Sequence, residues 1–315
     1  MSDNPLVSII MPCFNAAKYI ENTITRLFEQ TYSCFELIVV DDGSRDESLA
    51  ILNRLSGYYP AISVVTQANQ GAGAARNVGL KLARGEFVAF LDADDGWDAE
   101  FLCVMVAELV SNPDVVLVYC GWQNLGLQDK FCRPYIPDDF ERKEKILEIL
   151  AACPWPIHAA LIRKTVIDQV GGFDESLTSC MDYDLWLRIA IPGLIHRVEK
   201  VLAYYFHHDG DQITKNRLKI ALNHWHVQQK FLRAHPDVVN KIGKERVADV
   251  TKGRLLRQAY KNFWDRDLIT AQTLFRKLLF SGYFCIADLK YMLPALLPYG
   301  LYRNLIVFFD RGDQK

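Results

Sequence analysis

Two short apolar runs in this chain end, without a break, in carboxylates, and that pattern limits the folds open to it. Phe87 to Leu91 (FVAFL) is followed at once by Asp92, Asp94 and Asp95, and Phe35 to Val40 (FELIVV) by Asp41 and Asp42. A run that is almost wholly apolar, with no alternation, reads as a strand buried on both faces, the habit of a parallel sheet covered by helices. Carboxylates directly after such a strand project from the carboxyl edge of the sheet, where open α/β folds bind ligands. Three ionised carboxylates so close together repel one another and call for a positive partner. A charge-dense set of oxygen donors suits Mg²⁺ or Mn²⁺ better than zinc or copper. The plainer alternative is a solvated acidic turn that caps a helix beginning near Ala99.

Taken in order, the chain repeats strand, turn and helix. Residues 6–11 (LVSIIM) read as a first strand and Pro12 to Asn15 as a turn. From Ala16 to Gln30 the apolar residues Tyr19, Ile20, Ile24, Leu27 and Phe28 fall at helical spacing, with Asn15 as the expected N-cap. The second strand ends at Asp41 and Asp42, a helix from about Asp46 to Leu55 follows, and Ile62 to Thr66 is a third strand. Gly71, Gly73 and Gly79 bracket a turn into a helix that carries Arg76 and Asn77, and the run ending in Asp92 is the fourth strand. This alternation implies right-handed crossovers and a mainly parallel, Rossmann-like α/β sheet, which places both acidic strand ends at one crevice.

The 315 residues, 50% apolar, can bury a sizeable core, and the first segment lacks the basic start of a signal peptide. Eight cysteines form no CxxC pair and sit mostly among apolar neighbours, which predicts reduced, core-type thiols in a cytoplasmic protein. The net charge of -2 hides a split: residues 1–211 hold 17 Lys and Arg against 30 Asp and Glu, whereas residues 212–315 hold 19 against 8. The chain therefore divides into an acidic α/β domain (1–211, with halves 1–98 and 99–211) and a basic helical region (212–315) suited to an anionic partner.

The ordered motifs VSIIMPCFNAAKYI, FELIVVDDGS, NQGAGAARNVGL and GEFVAFLDADD closely resemble those of the family 2 glycosyltransferases, which have the GT-A fold, and GGFDE (171–175) and DYDLWLR (182–188) resemble that family's acceptor-side segments. The resemblance covers residues 5 to 210. It implies an inverting enzyme that moves a sugar from a nucleotide diphosphate sugar, a UDP-sugar in this reading, to a hydroxyl of a saccharide or lipid-linked saccharide during cell-surface glycan assembly. Residues 1–98 would then bind the donor and 99–211 the acceptor.

By the same resemblance Asp42 hydrogen-bonds the uracil ring, and an acceptor-only carboxylate suits an imide N–H; Pro12 lines the base pocket. Arg76 is placed for the diphosphate, where charge-assisted bonds and a helix N-terminus act together. Asp92 and Asp94 match the DxD pair, with Asp94 or Asp95 as direct ligand of Mg²⁺ or Mn²⁺, and His208 matches a histidine that helps hold the metal in some relatives. Asp182 matches the general base, although Met181 stands where a Glu often precedes it. Each has a bland counterpart: Asp41, Asp42 and Asp182 as helix caps, Arg76 in a surface ion pair, His207 and His208 as solvated loop residues. His158 lies in a segment expected to face the acceptor, with a core or loop histidine as the alternative.

Beyond Leu218 the pattern is helical. Leu255, Leu256, Ala259, Tyr260 and Phe263, then Ala271, Leu274, Phe275, Leu278 and Leu279, read as a helical hairpin joined near Asp265 to Leu268. Residues 283–309 mix aromatic, aliphatic and basic side chains, and the longest uncharged run, Tyr291 to Tyr302, is far shorter than the ~20 apolar residues that span a bilayer. The tail is expected to lie on an anionic membrane surface as a peripheral contact at the inner face. The alternatives are packing on the catalytic domain or on a second subunit, which would make a homo-oligomer. No motif supports nucleic-acid binding. Three rival functions stand beside the transferase: a sugar-1-phosphate nucleotidyltransferase, a receiver-type signalling domain, and a nucleotide-sugar-binding scaffold without turnover. The first would carry a Gly-rich phosphate loop where Pro12, Cys13, Phe14 and Asn15 stand, and the second offers no account of Asp92 to Asp95.

Overall fold

The computed structural model describes residues 4–126, 132–208 and 216–312. Contacts divide the chain into two compact units, Met1–Asp211 and Gln212–Lys315, and their junction lies outside the described residues.

The first unit is an eight-stranded mixed sheet flanked by helices. Its elements run β1 (Val7–Cys13), α1 (Ile20–Leu27), β2 (Phe35–Asp41), α2 (Ser48–Tyr58), β3 (Ile62–Thr66), α3 (Ala72–Leu82), β4 (Phe87–Phe90), β5 (Gly96–Trp97), α4 (Phe101–Ser111), β6 (Val115–Leu125), α5 (Lys145–Ala151), β7 (Ala160–Arg163), α6 (Lys164–Val170), α7 (Met181–Ile189) and β8 (Leu194–Phe206). The spatial order is β3-β2-β1-β4-β7-β6-β8-β5. Strands β1 to β4 are mutually parallel, and β7 enters antiparallel between β4 and β6. The expected parallel half is therefore present, with β2 and β4 on either side of β1, so the two acidic strand ends share one edge.

Local chemistry explains where the elements depart from expectation. Strand β1 continues through Pro12 to Cys13 instead of turning at Pro12. The last β1–β4 rung is Ile10 opposite Phe90, so the missing N–H of Pro12 forfeits no ladder bond to β4. Helix α1 begins at Ile20, with Tyr19 as N-cap, not at Ala16. Asn15 does not cap it: at φ 51° its side-chain oxygen accepts the Arg45 N–H at 2.8 Å and its own N–H donates to Ser44 Oγ at 3.0 Å, which ties the ends of β1 and β2 together. Helix α3 packs so closely on the sheet that a Cβ on Gly79 would lie 2.4 Å from Ile10 Cγ2, so glycine is required there. Of the eight cysteines only Cys13 and Cys120 are buried, while Cys103, Cys153 and Cys285 are exposed. The expectation of core-type thiols therefore fails for most of them.

The second unit is helical: α8 (Arg217–Ala234), α9 (Pro236–Ile242), α10 (Lys244–Ala248), α11 (Arg254–Trp264), α12 (Leu268–Phe280), α13 (Leu289–Met292) and α14 (Tyr299–Gly312). The expected hairpin is α11 against α12, and its apolar stripes, with Leu255, Ala259, Phe263, Leu274, Phe275 and Leu278, make one core. The tail is partly internal, because Met292, Tyr302 and Ile306 join that core. Buried Asp288 accepts the Tyr260 hydroxyl at 2.6 Å and the Cys285 N–H at 2.7 Å, which fixes the turn before α13. No helix of the described residues is long and apolar enough to cross a membrane.

Candidate active site

The end of β2 is built from backbone donors. Asp42, buried, accepts the N–H of Gln70 and of Gly71, each at 2.8 Å, and the side-chain amide of Gln67 at 2.7 Å. These bonds hold the turn that enters α3, and they leave part of the carboxylate's capacity of about four acceptor sites unspent. Asp41 accepts the Ser44 N–H at 3.2 Å through Oδ2, while its buried Oδ1 has no hydrogen-bond partner among the described residues. Neither residue is the N-cap of α2, which is Glu47. Pro12 sits beside them, opposite Val40 at the carboxyl end of β1.

The end of β4 is built differently. Each of its three carboxylates meets one side chain that carries, or can carry, positive charge. Arg76 Nη2 lies 2.5 Å from Asp92 Oδ1, His208 Nε2 2.8 Å from Asp94 Oδ2, and His158 Nδ1 3.1 Å from Asp95 Oδ2. Arg76 is not a surface residue: its side chain is 7% exposed, with Phe173 5.5 Å below the guanidinium and Met181 Sδ 3.8 Å from Nη1. Asp94 and His208 stay accessible at 29% and 16%, and the His208 ring stacks on Tyr19 at 4.4 Å. Asp95 instead turns inward, where Oδ1 accepts the Phe206 N–H at 3.1 Å. Burial pushes the Asp95 carboxyl up to about 6. Burial pulls the His158 imidazole down, but the adjacent carboxylate outweighs it and the net shift is upward. His158 is thus wholly interior, and not a residue exposed to the acceptor.

Among the described residues no group of three His, Cys, Asp or Glu side chains is arranged to hold a metal ion. Asp94 and His208 nonetheless make a fitting pair of donors, one carboxylate oxygen and one imidazole nitrogen. Mg²⁺ and Mn²⁺ at phosphate sites need only one or two protein ligands, since substrate phosphates and water fill the rest. Asp209 and Asp211, which follow His208, lie outside the described residues.

The third part of the site is the start of α7. Asp182, in the first turn, accepts the N–H of Tyr183 at 2.8 Å through Oδ1, and Oδ2 lies 3.7 Å from the Cys153 thiol. Burial raises its pKa, partly offset by the Tyr183 N–H and by the nearby Arg76 charge. The helix is capped by Cys180, at φ 59°, so Asp182 is not the N-cap. Asp184 is a brace: Arg188 pairs with it at 2.6 Å and also donates to the carbonyls of Val170 and Gly172. Asn77 on α3 joins the other motifs to this side, accepting the Phe173 N–H at 2.8 Å and donating to the Phe173 carbonyl at 2.9 Å. Gly172 is obligatory there, at φ +68° with a Cβ position 2.6 Å from Asn77 Oδ1.

Sequence reasoning named the carboxylates, Arg76 and His208 but missed Tyr19, Cys153 and the tie between His158 and Asp95. Tyr19 counted as part of a helical apolar stripe, and nothing in the chain order pairs residue 158 with residue 95.

A parallel half-sheet with its acidic strand ends at one edge, continued by a mixed half-sheet, is the GT-A arrangement. Residues 8–170 match the sequence profile of glycosyl transferase family 2, and the chain belongs to that family. An uncharacterised glycosyltransferase of Rickettsia prowazekii is 32% identical over 223 residues, 69% of this chain and 65% of the relative. The chondroitin synthase of Escherichia coli is 26% identical over 72% of this chain, which spans 33% of that enzyme's length. Among solved structures, S. aureus TarS (residues 1–349) in complex with UDP-GlcNAc superposes with a TM-score of 0.58 at 20% identity, over 88% of this chain and 92% of that one. A mannosyltransferase from Pyrobaculum calidifontis in complex with GDP-Man and Mn²⁺ gives 0.57 at 18% identity, over 93% and 86%.

Proposed function

We propose that the chain is an inverting glycosyltransferase that moves a hexosyl or N-acetylhexosaminyl group from a UDP-sugar to an acceptor hydroxyl. The observation that carries this reading is the grouping, at one sheet edge, of the Asp42 turn, the Asp94–His208 pair, and Arg76 within electrostatic reach of both Asp92 and Asp182. Asp42 would accept the imide N–H of the base beside Pro12. Arg76 would hold the diphosphate while keeping Asp92 in place. Asp94 and His208 would hold Mg²⁺ or Mn²⁺, which supplies charge neutralisation for the departing diphosphate.

Asp182 would take the acceptor proton as the new bond forms from the acceptor oxygen to the anomeric carbon and the bond to the phosphate oxygen breaks. Direct displacement inverts that carbon. The raised pKa of Asp182 makes its carboxylate a stronger base than an exposed one, and the Cys153 thiol donates toward Oδ2 at 3.7 Å. Asp182→Asn should lower transfer by roughly 10²- to 10⁴-fold and leave donor affinity nearly intact. Because the base works only when ionised, the acid limb of kcat/KM in the wild type should lie above the ordinary carboxylate value of 3.8. Calorimetry in which Asp182→Asn loses donor binding together with activity would refute the assignment.

The second unit supports a peripheral contact with an anionic bilayer, which suits a lipid-linked acceptor at the inner face of the membrane. Phe280, Ile286 and Leu301 are 79%, 88% and 57% exposed, although α14 already buries Tyr302 and Ile306 on its inner face. Residues 276–308 carry Arg276, Lys277, Lys290 and Arg303 against the single acid Asp288, which is buried. A second copy seated on this face would set basic charge against basic charge, whereas anionic lipid complements it. The protein should sediment with phosphatidylglycerol-containing vesicles at low salt and not with pure phosphatidylcholine. Equal binding to both would remove the electrostatic part of this reading.

A further inference from the structure

We propose that His158 is a positioning residue of the donor site: through Asp95 it sets the register between Asp94 and His208. Three chain segments meet at this buried pair. Asp95 belongs to the turn after β4, and its N–H donates to the Asp92 carbonyl at 3.1 Å. Its Oδ1 accepts the N–H of Phe206, the last residue of β8. Its Oδ2 faces Nδ1 of His158, which sits in the turn before β7. The carbonyl of His158 accepts the Trp97 indole N–H at 2.6 Å, so the same residue grips the β5 segment as well.

The consequence follows from adjacency. Asp95 is next to Asp94, and Phe206 is two residues from His208. The links Asp95–Phe206 and Asp94–His208 are neighbouring ties between the same two segments. The inner one has its carboxylate buried, whereas the outer one is accessible. The imidazole, packed 3.1 Å from Asp95 Oδ2, limits where that carboxylate can sit, and through the Oδ1 bond it limits where Phe206, and with it His208, lies relative to Asp94. Partners one step behind a metal ligand set ligand orientation in this way, and their loss costs about 10- to 100-fold in metal affinity.

This inference rests on the metal reading for its binding arm, and a second arm is independent of it. In metal-free protein labelled with ¹⁵N-histidine, His158→Ala should shift the His208 ring nitrogens toward the values of an imidazole released from a carboxylate. His158→Asn, whose amide nitrogen stands where Nδ1 stood, should keep the wild-type signals. By calorimetry with UDP present, His158→Ala should bind Mn²⁺ about 10- to 100-fold more weakly, with UDP affinity in the absence of metal unchanged and with Asn recovering most of the loss. Unchanged His208 signals together with wild-type Mn²⁺ affinity in the Ala variant would overturn the proposal. Should the Ala variant not melt cooperatively, the Asn and Gln variants decide: both indistinguishable from wild type at His208, or both equally altered, would refute a role for the Nδ1 position. Wild-type protein that takes up no Mn²⁺ would refute the metal reading and leave the His208 spectrum to judge the positioning.

Discussion

The ends of β2 and β4 look alike in sequence, an apolar strand running into aspartates, yet they are held by different partners. At β2, Asp42 is held by two backbone N–H groups and an amide, and Asp41 by one backbone N–H. At β4, Asp92, Asp94 and Asp95 are held by Arg76, His208 and His158. Backbone donors cannot leave without undoing a turn, so the first cluster is fixed in place. The accessible Asp94–His208 pair can exchange one partner for a ligand, so the second cluster can change what it binds. Each of the three carboxylates that seemed to call for a cation has one nearby side chain of the protein that carries or can carry positive charge.

That contrast can be broken by substitution. The largest effect is expected from Asp94→Ala, which should lower transfer by roughly 10³-fold, since several kcal/mol of charge stabilisation are lost at about 1.4 kcal/mol per factor of ten. Its ligand-free melting point should move little, because the side chain is 29% exposed. Asp42→Asn should do the reverse in emphasis. It keeps one acceptor oxygen and turns the other into a donor facing either the Gln70 or the Gly71 N–H, and a donor left without its partner costs about 1–3 kcal/mol. A domain of this size should then melt several degrees lower, at about 2–4 °C per kcal/mol. The smallest effect belongs to Asp41→Asn, which puts at most one 3.2 Å bond and about 1 kcal/mol at stake, since its amide oxygen can still accept the Ser44 N–H. Equal losses of stability in the Asp94 and Asp42 variants, read by calorimetric melts, would erase the distinction between the two strand ends.

Much of this was legible in the chain and some of it could not be. Strands β1 to β4 and the shared edge follow from unbroken apolar runs, which few structures other than a buried parallel sheet can satisfy. The antiparallel entry of β7 left no such mark, because Ala160–Arg163 is too short for a period to register. Asn15 misled as a cap because a side chain able to bond a helix N–H can equally bond Arg45, and only the tertiary approach of β2 selects between them. Asp94, Asp95 and His208 could be named from resemblance, but that Asp95 turns inward against a buried His158 shows only in the fold. That is a property of packing between segments far apart in sequence.

The most direct test of the account is a thermal-shift measurement on the whole chain with a panel of nucleotide sugars, with and without Mn²⁺, on wild type and Asp94→Ala. A bound donor stabilises by mass action, about 2.7 kcal/mol at a hundredfold excess over Kd, even when no acceptor is present. The account predicts that one UDP-sugar raises the melting point, that Mn²⁺ enlarges the rise, and that Asp94→Ala abolishes the Mn²⁺ increment while its own ligand-free melting point stays near wild type. Folded wild-type protein that no nucleotide sugar stabilises, with Mn²⁺ present, would contradict the donor site on which the proposed reaction depends.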